Sequence, residues 1–157
     1  MPKLNNIIFY AICLTAMLTS CDNSAIYHRF ASIEKSAWHK DAAVEFAVPV
    51  TDTASLYNVI INIRNHNEYP YQNLYLFVYS TAPNGKTDGD TLNCILANNQ
   101  GWWYGQGIGS TSTLPIMYMP SVKFPEQGTY TFRIMQGMRE DILEGISDIG
   151  LRVEKRK

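Results

Sequence analysis

Ser55-Leu56-Tyr57-Asn58-Val59-Ile60-Ile61-Asn62-Ile63-Arg64 is the stretch that decides the fold class. In an extended chain Tyr57, Val59, Ile61 and Ile63 fall on one face, and Asn58, Ile60, Asn62 and Arg64 fall on the other. Side chains alternate along a strand, so the first set packs while the second faces outward. Residues 65–70 then break the rhythm.

The same period recurs on both sides. Residues 43–50 set Val44, Phe46 and Val48 against Glu45. Residues 73–80 carry Leu74, Leu76 and Val78 opposite Tyr75, Phe77 and Tyr79. Apolar on both faces, that strand belongs in the middle of a sheet or shows an aromatic face to a second layer. Pro83-Asn84-Gly85-Lys86 is turn chemistry, because proline presets φ and Asn-Gly tolerates the left-handed region. It leads to residues 91–96, where Leu92, Cys94 and Leu96 alternate with Thr91, Asn93 and Ile95. Residues 114–119 form a short apolar run with Pro115 inside and Pro120 after it, which suits an edge strand. Residues 129–136 place Tyr130, Phe132 and Ile134 opposite Thr129, Thr131 and Arg133. A terminal strand alternates Ile149, Leu151 and Val153 with Arg152 and Glu154. Residues 135–143 allow one helical turn, limited by Gly137 and Gly145. Seven or eight short strands with no long amphipathic helix predict an all-β fold: a single antiparallel β-sandwich, jelly-roll or immunoglobulin-like.

The N-terminus has a different character. Lys3 precedes an apolar run over residues 7–18, and Leu18-Thr19-Ser20-Cys21 follows. This is the layout of a secretory signal. At 1.5 Å per residue, a helix over the run covers about 18 Å, short of a ~30 Å hydrocarbon core. Leucine, two small residues and cysteine resemble the lipobox of bacterial lipoproteins, in which the cysteine is acylated and becomes the first mature residue. The expected layout is a cleaved lipoprotein signal peptide over residues 1–20, a short lipidated tether over 21–25 and a β-sandwich domain over 26–157. A tether from Asp22 to Ala25 reaches about 13–15 Å.

Composition narrows the function. Cleavage before Cys21 removes Lys3, leaving 12 basic against 14 acidic residues, a formal charge of −2. The one basic block is Lys155-Arg156-Lys157, which argues against nucleic acid as a partner. Cys13 leaves with the signal and Cys21 is assigned to lipid, so Cys94 is alone in the folded part. Stability then rests on the core rather than on disulfides.

Catalytic patterns are missing from the sequence: there is no Gly-x-Ser-x-Gly, no His-Glu-x-x-His and no Cys-x-x-Cys. His28, His39 and His66 lack metal-ligand spacing. Gly105-Gln106-Gly107-Ile108-Gly109 opens no helix and is followed by no nearby lysine, so it is rejected as a phosphate loop and its glycines are assigned to loop flexibility. Asp88-Gly89-Asp90 near Asn84 lacks the third acid and terminal glutamate of a calcium loop. No catalytic residue, metal or cofactor is expected. Trp102-Trp103-Tyr104 is the candidate binding cluster, since exposed aromatics stack on sugars or anchor partner proteins. The competing reading is that alternate residues split between core and surface.

Several motifs together resemble the gliding motility lipoprotein GldH family of Bacteroidetes-type bacteria. They are Ile61-Asn62-Ile63-Arg64-Asn65, Tyr69-Pro70-Tyr71-Gln72-Asn73-Leu74-Tyr75-Leu76, Pro83-Asn84-Gly85-Lys86 with Asp90-Thr91-Leu92, residues 122–132, Gln136-Gly137-Met138-Arg139 and residues 146–154. The resemblance implies a non-enzymatic lipoprotein of the cell envelope, lipid-anchored at the outer membrane. Its implied partners are the membrane, through the anchor, and other envelope proteins of a motility assembly or of type IX secretion. Cys21 is the one functional position it carries over, as the lipidated cysteine. Arg64-Asn65 and Tyr69-Pro70-Tyr71 could be a corner that fixes the fold or could line a binding edge, and the need of turns for such residues locally favours the corner. The alternative function, resting on the sandwich and on Trp102-Trp103-Tyr104, is a carbohydrate-binding envelope lipoprotein.

Overall fold

The computed structural model describes residues 24–156. Signal peptide and Cys21, as expected from the sequence, lie outside these residues. Ten strands follow in order: β1 (Ala25–Ser32), β2 (Ala37–His39), β3 (Val44–Val50), β4 (Tyr57–His66), β5 (Asn73–Thr81), β6 (Thr87–Ile95), β7 (Thr111–Val122), β8 (Gly128–Gln136), β9 (Ile142–Glu144) and β10 (Ile146–Lys155). One sheet runs β1-β10-β4-β7 and the other β3-β8-β5-β6, while β2 and β9 form a small ribbon. Every pair is antiparallel. Apart from the ribbon, only β5 and β6 are consecutive strands within one sheet. This interleaved order is the double Greek key of a jelly roll, which decides between the two expected sandwiches.

The interior is the alternation of the sequence made solid. Val59, Ile61 and Ile63 of β4 and Ile149, Leu151 and Val153 of β10 are buried against Phe46 and Val48, Phe132 and Ile134, and Leu74, Leu76 and Val78. Each such side chain contributes about 1.5–3 kcal/mol when fully buried. Cys94 lies in this core as a free thiol, and burial pushes its pKa up to about 11.

Several elements differ from the expectation. β1 takes up Ala25, the last residue expected in the tether, and the backbone N–H of Lys155 already donates to the Ser24 carbonyl at 2.8 Å. β6 starts at Thr87, because Thr87-Asp88-Gly89-Asp90 pairs with Val78, Tyr79, Ser80 and Thr81 despite poor strand propensity. β7 has 12 residues and accommodates Pro115 and Pro120; as the edge of its sheet it has one side where a missing N–H is harmless. No helical turn forms over residues 135–143, since β8 ends at Gln136 and β9 begins at Ile142.

Strand directions define two ends of the sandwich. The start of β1, the end of β10 and residues 51–56, 82–86 and 123–127 share the near end, beside the tether. Residues 33–43, 67–72, 96–110 and 137–145 share the far end. A ten-residue strand such as β4 separates them by about 30 Å.

Candidate interaction surface

At the far end the chain between β6 and β7 is held by its own backbone. Asn98 Oδ1 accepts from the N–H groups of Gln100 and Trp102, and Gly101 turns the chain at φ 84°. Ala97 then bridges Trp103, and Tyr104 N–H donates to the Leu96 carbonyl at 2.8 Å. The segment is therefore extended, and its aromatics alternate. Trp103 turns inward and its ring lies 6.4 Å from that of Tyr69. Trp102 and Tyr104 face solvent, 73% and 57% exposed. The three candidate residues are thus not gathered on one face.

The glycines that follow have a reason other than the expected flexibility. Gln106 exchanges two backbone hydrogen bonds with Thr113 at 3.0 and 2.9 Å, which lays this segment along the open edge of β7. A Cβ on Gly107 would lie 2.0 Å from the Thr111 carbonyl oxygen, and one on Gly105 would lie 2.5 Å from Ser112 Oγ. Close backbone approach requires glycine at both. Ile108 projects from the tip, 97% exposed.

Beside this loop lies a groove that the sequence reading did not assign. Tyr75, Phe77 and Tyr79 cover the outer face of β5, each about two-fifths exposed and with no second layer of described residues over them. Tyr71, Tyr75, Phe77 and the loop Gly137-Met138-Arg139-Glu140 enclose about 530 Å³. The loop is firmly built: buried Gln136 donates from Nε2 to the Glu140 carbonyl and accepts from Met138 N–H. Tyr71 OH bonds to Glu140, and that bond is the main reason its phenol pKa is raised. The Tyr69 ring contacts both Tyr71 and Trp103, which joins the groove wall to the aromatic loop. Burial pushes the Tyr69 phenol far up, and its OH donates to the Asn73 carbonyl at 2.9 Å.

The far end is also acidic. Glu34, Asp41, Glu68, Glu140, Asp141 and Glu144 oppose Lys35, Lys40 and Arg139 there, a net charge of −3. Lys40 and Asp141 pair at 2.5 Å. The other polar groups weighed in the sequence are engaged separately. Asp90 accepts from Tyr118 OH at 2.7 Å and Asp88 faces Lys86 at 3.6 Å. His66 meets Ser36 Oγ, while His28 packs on Phe30 and His39 contacts Asp41. Arg64 sits 4.7 Å above the Phe30 ring and pairs with Asp148 at 3.3 Å, and Ser32 and Ser147 also donate to that carboxylate. Burial raises the Asp148 pKa, but these bonds and Arg64 outweigh it and leave the pKa below the usual range. Among the described residues, no helix is long and apolar enough to cross a membrane.

The GldH lipoprotein family model matches residues 25–153, from the first residue of β1 to the near end of β10. The chain belongs to the GldH lipoprotein family. It is 38% identical over 155 residues to a gliding motility lipoprotein GldH homolog of Christiangramia forsetii, covering 94% of each chain. It is also 38% identical over 147 residues to the gliding motility lipoprotein GldH of Flavobacterium johnsoniae, covering 89% of this chain and 91% of that one. In this GldH-family chain the motifs that carry the resemblance are mostly structural. Asn62-Ile63-Arg64 and Asp148-Ile149-Gly150 pair across β4 and β10, and Phe30 lies so close to Gly150 that a Cβ there would come 2.7 Å from its ring. Pro83-Asn84-Gly85-Lys86 closes the β5–β6 hairpin, with Gly85 at φ 86° donating to the Ala82 carbonyl. Tyr71, Tyr75, Thr91, Gly137, Met138 and Arg139 are the motif residues that line the groove.

Proposed function

We propose that this protein is a non-enzymatic, lipid-anchored component of gliding-motility machinery in the cell envelope. Cys21 is its acylated residue, and residues 1–20 are the signal peptide removed before it. The observation that carries the reading is the position of the fold: β1 begins at Ala25, four residues after Cys21. Three Cα steps from Cys21 to Ser24 span about 10 Å, so acyl chains in a bilayer hold the sandwich at a fixed height. The names of both relatives, gliding motility lipoproteins, support the same setting. A non-enzymatic role is favoured by the engagement of the reactive groups, since the thiol of Cys94 is buried and protonated at neutral pH. The outer membrane is the proposed location, and envelope proteins of the motility assembly or of type IX secretion are the proposed partners. A Cys21→Ala chain tests this. It is expected to lose labelling by a fatty-acid probe and to leave the membrane fraction, and unchanged labelling contradicts the proposal.

A second reading, a carbohydrate-binding envelope lipoprotein, is favoured by the groove. Tyr71, Tyr75 and Phe77 offer ring faces beside Arg139 and Glu140, the mixture of stacking and hydrogen bonding that sugars use. Trp102 and Tyr104 extend the same end. Slower migration of the wild-type chain in polysaccharide-containing gels, lost in Tyr75→Ala or Trp102→Ala, supports this reading; equal migration of all three removes it.

A further inference from the structure

We propose that the near end of the sandwich is a bilayer-facing surface, in which Leu56, Lys123, Lys155 and Arg156 rest on anionic phospholipid headgroups. The inference rests on the acylation of Cys21 and adds to it an orientation for the domain.

Two observations point to this occupant. One is the length of the chain between Cys21 and the fold. Ser24 is already bonded to Lys155 through its carbonyl, so the about 10 Å spanned by three Cα steps is all that separates this end from the acylated residue. Arg156 N–H donates to the Leu56 carbonyl at 2.8 Å, which places Leu56 beside the tether, and Leu56 is 41% exposed.

The other observation is charge. Outside the strands, residues 51–56, 82–86, 123–127 and 156 carry Lys86, Lys123 and Arg156 against Asp52 and Glu126, a net charge of +1, and Lys155 ends β10 beside them. The far end carries −3, so the domain is polarised along its long axis with the positive pole at the anchor. Lys155 faces Asp52 at 2.6 Å, and Lys86 faces Asp88. Lys123 and Arg156 pair with no carboxylate among the described residues, and Arg156 donates to Ser121 Oγ instead. Basic side chains next to a membrane are attracted by anionic lipid within a Debye length, and the short anchor keeps these side chains inside that distance. A domain seated in this way stands upright. Trp102, Tyr104 and Ile108 are then presented about 30 Å above the bilayer, where a second envelope protein meets them.

The test uses the full acylated chain in vesicles of phosphatidylcholine with or without phosphatidylglycerol. A polarity-sensitive fluorophore is attached at Leu56→Cys or, separately, at Tyr104→Cys; Cys94 is buried and remains unlabelled. The proposal expects a blue-shifted emission at position 56 and none at 104, with the shift larger when phosphatidylglycerol is present and reduced by salt. Lys123→Glu with Arg156→Glu is expected to abolish the added shift while leaving the thermal midpoint and membrane incorporation unchanged. A chain that incorporates but shows equal, water-like emission at both positions, or a shift at 104, overturns this surface and leaves the anchor intact. A chain that fails to incorporate overturns the acylation of Cys21 and this inference with it.

Discussion

The two ends of the sandwich are closed by different physics. At the near end the packed rings of Tyr57, Phe124 and Tyr130 lie beneath a polar cover: Lys155 and Ser55 bind the Asp52 carboxylate, and Tyr57 OH donates to the Asp52 carbonyl at 2.7 Å. At the far end the rings continue out to the surface: Trp38 is buried and donates to the Ala42 carbonyl, Trp103, Tyr69 and Tyr71 contact one another in sequence, and Trp102 and Tyr104 are exposed. An end that sits against headgroups keeps its charges and small loops. An end that meets another protein benefits from a rigid base beneath its exposed rings. The contrast predicts large losses where buried rings are removed and a response to lipid at the near end.

The largest effects are expected where the far end is closed. Trp38→Ala or Tyr69→Ala empties a buried ring site and is expected to cost about 3–5 kcal/mol, measured by urea unfolding. A cost below that of a near-end substitution would erase the contrast. Gly107→Ala comes next, because the added methyl meets the Thr111 carbonyl and the segment must leave the β7 edge. Overpacking of this kind costs about 1–3 kcal/mol, and faster amide exchange at Thr113 is the specific sign. At the near end Tyr57→Phe removes one hydrogen bond and keeps the packed ring, an expected loss of about 0.5–1.5 kcal/mol.

The near end also carries a pH dependence. The Lys155 bond, then the bonds from Ser55 and the Ala54 and Ser55 amides, hold the Asp52 carboxyl well below the usual carboxylate range. A depressed folded-state pKa contributes stability that is fully present above about pH 4, the ordinary aspartate value, and is lost as pH falls toward the folded value. Asp52→Asn is therefore expected to flatten the acid limb of the stability curve, and an unchanged limb would assign it to Asp141 or Asp148 instead. The smallest effect belongs to Trp102→Ala, whose stability should stay within about 0.5 kcal/mol of wild type while any partner or sugar binding falls.

Strict period two made β4, β5, β8 and β10 legible, and it also contained the division of Trp103 from Trp102 and Tyr104. β1 was not legible, because an edge strand with His28-Arg29-Phe30 has no clean apolar face. β2 and β9 have three residues each, too few to show a period. The aromatic face of β5 was visible, but the groove was not, since its second wall is a loop brought over by β8 and held by Gln136. Gly105 and Gly107 look flexible in sequence because the strand edge they press on, four to eight residues further along, folds back on them only in three dimensions.

Under the proposed function, an acylated Cys21 and a tether of three Cα steps hold this domain at a fixed height over the membrane. The most direct measurement is to insert about 30 flexible residues after Asn23 and to score colony spreading, or protein secretion in a non-gliding host, alongside fatty-acid labelling. Random-coil scaling of 5–6 Å × √n lets the longer tether wander about 30 Å, which dilutes the domain relative to any assembly. The account predicts unchanged labelling and membrane retention with spreading or secretion strongly reduced. Normal spreading or secretion with the long tether, at normal protein level, would contradict it.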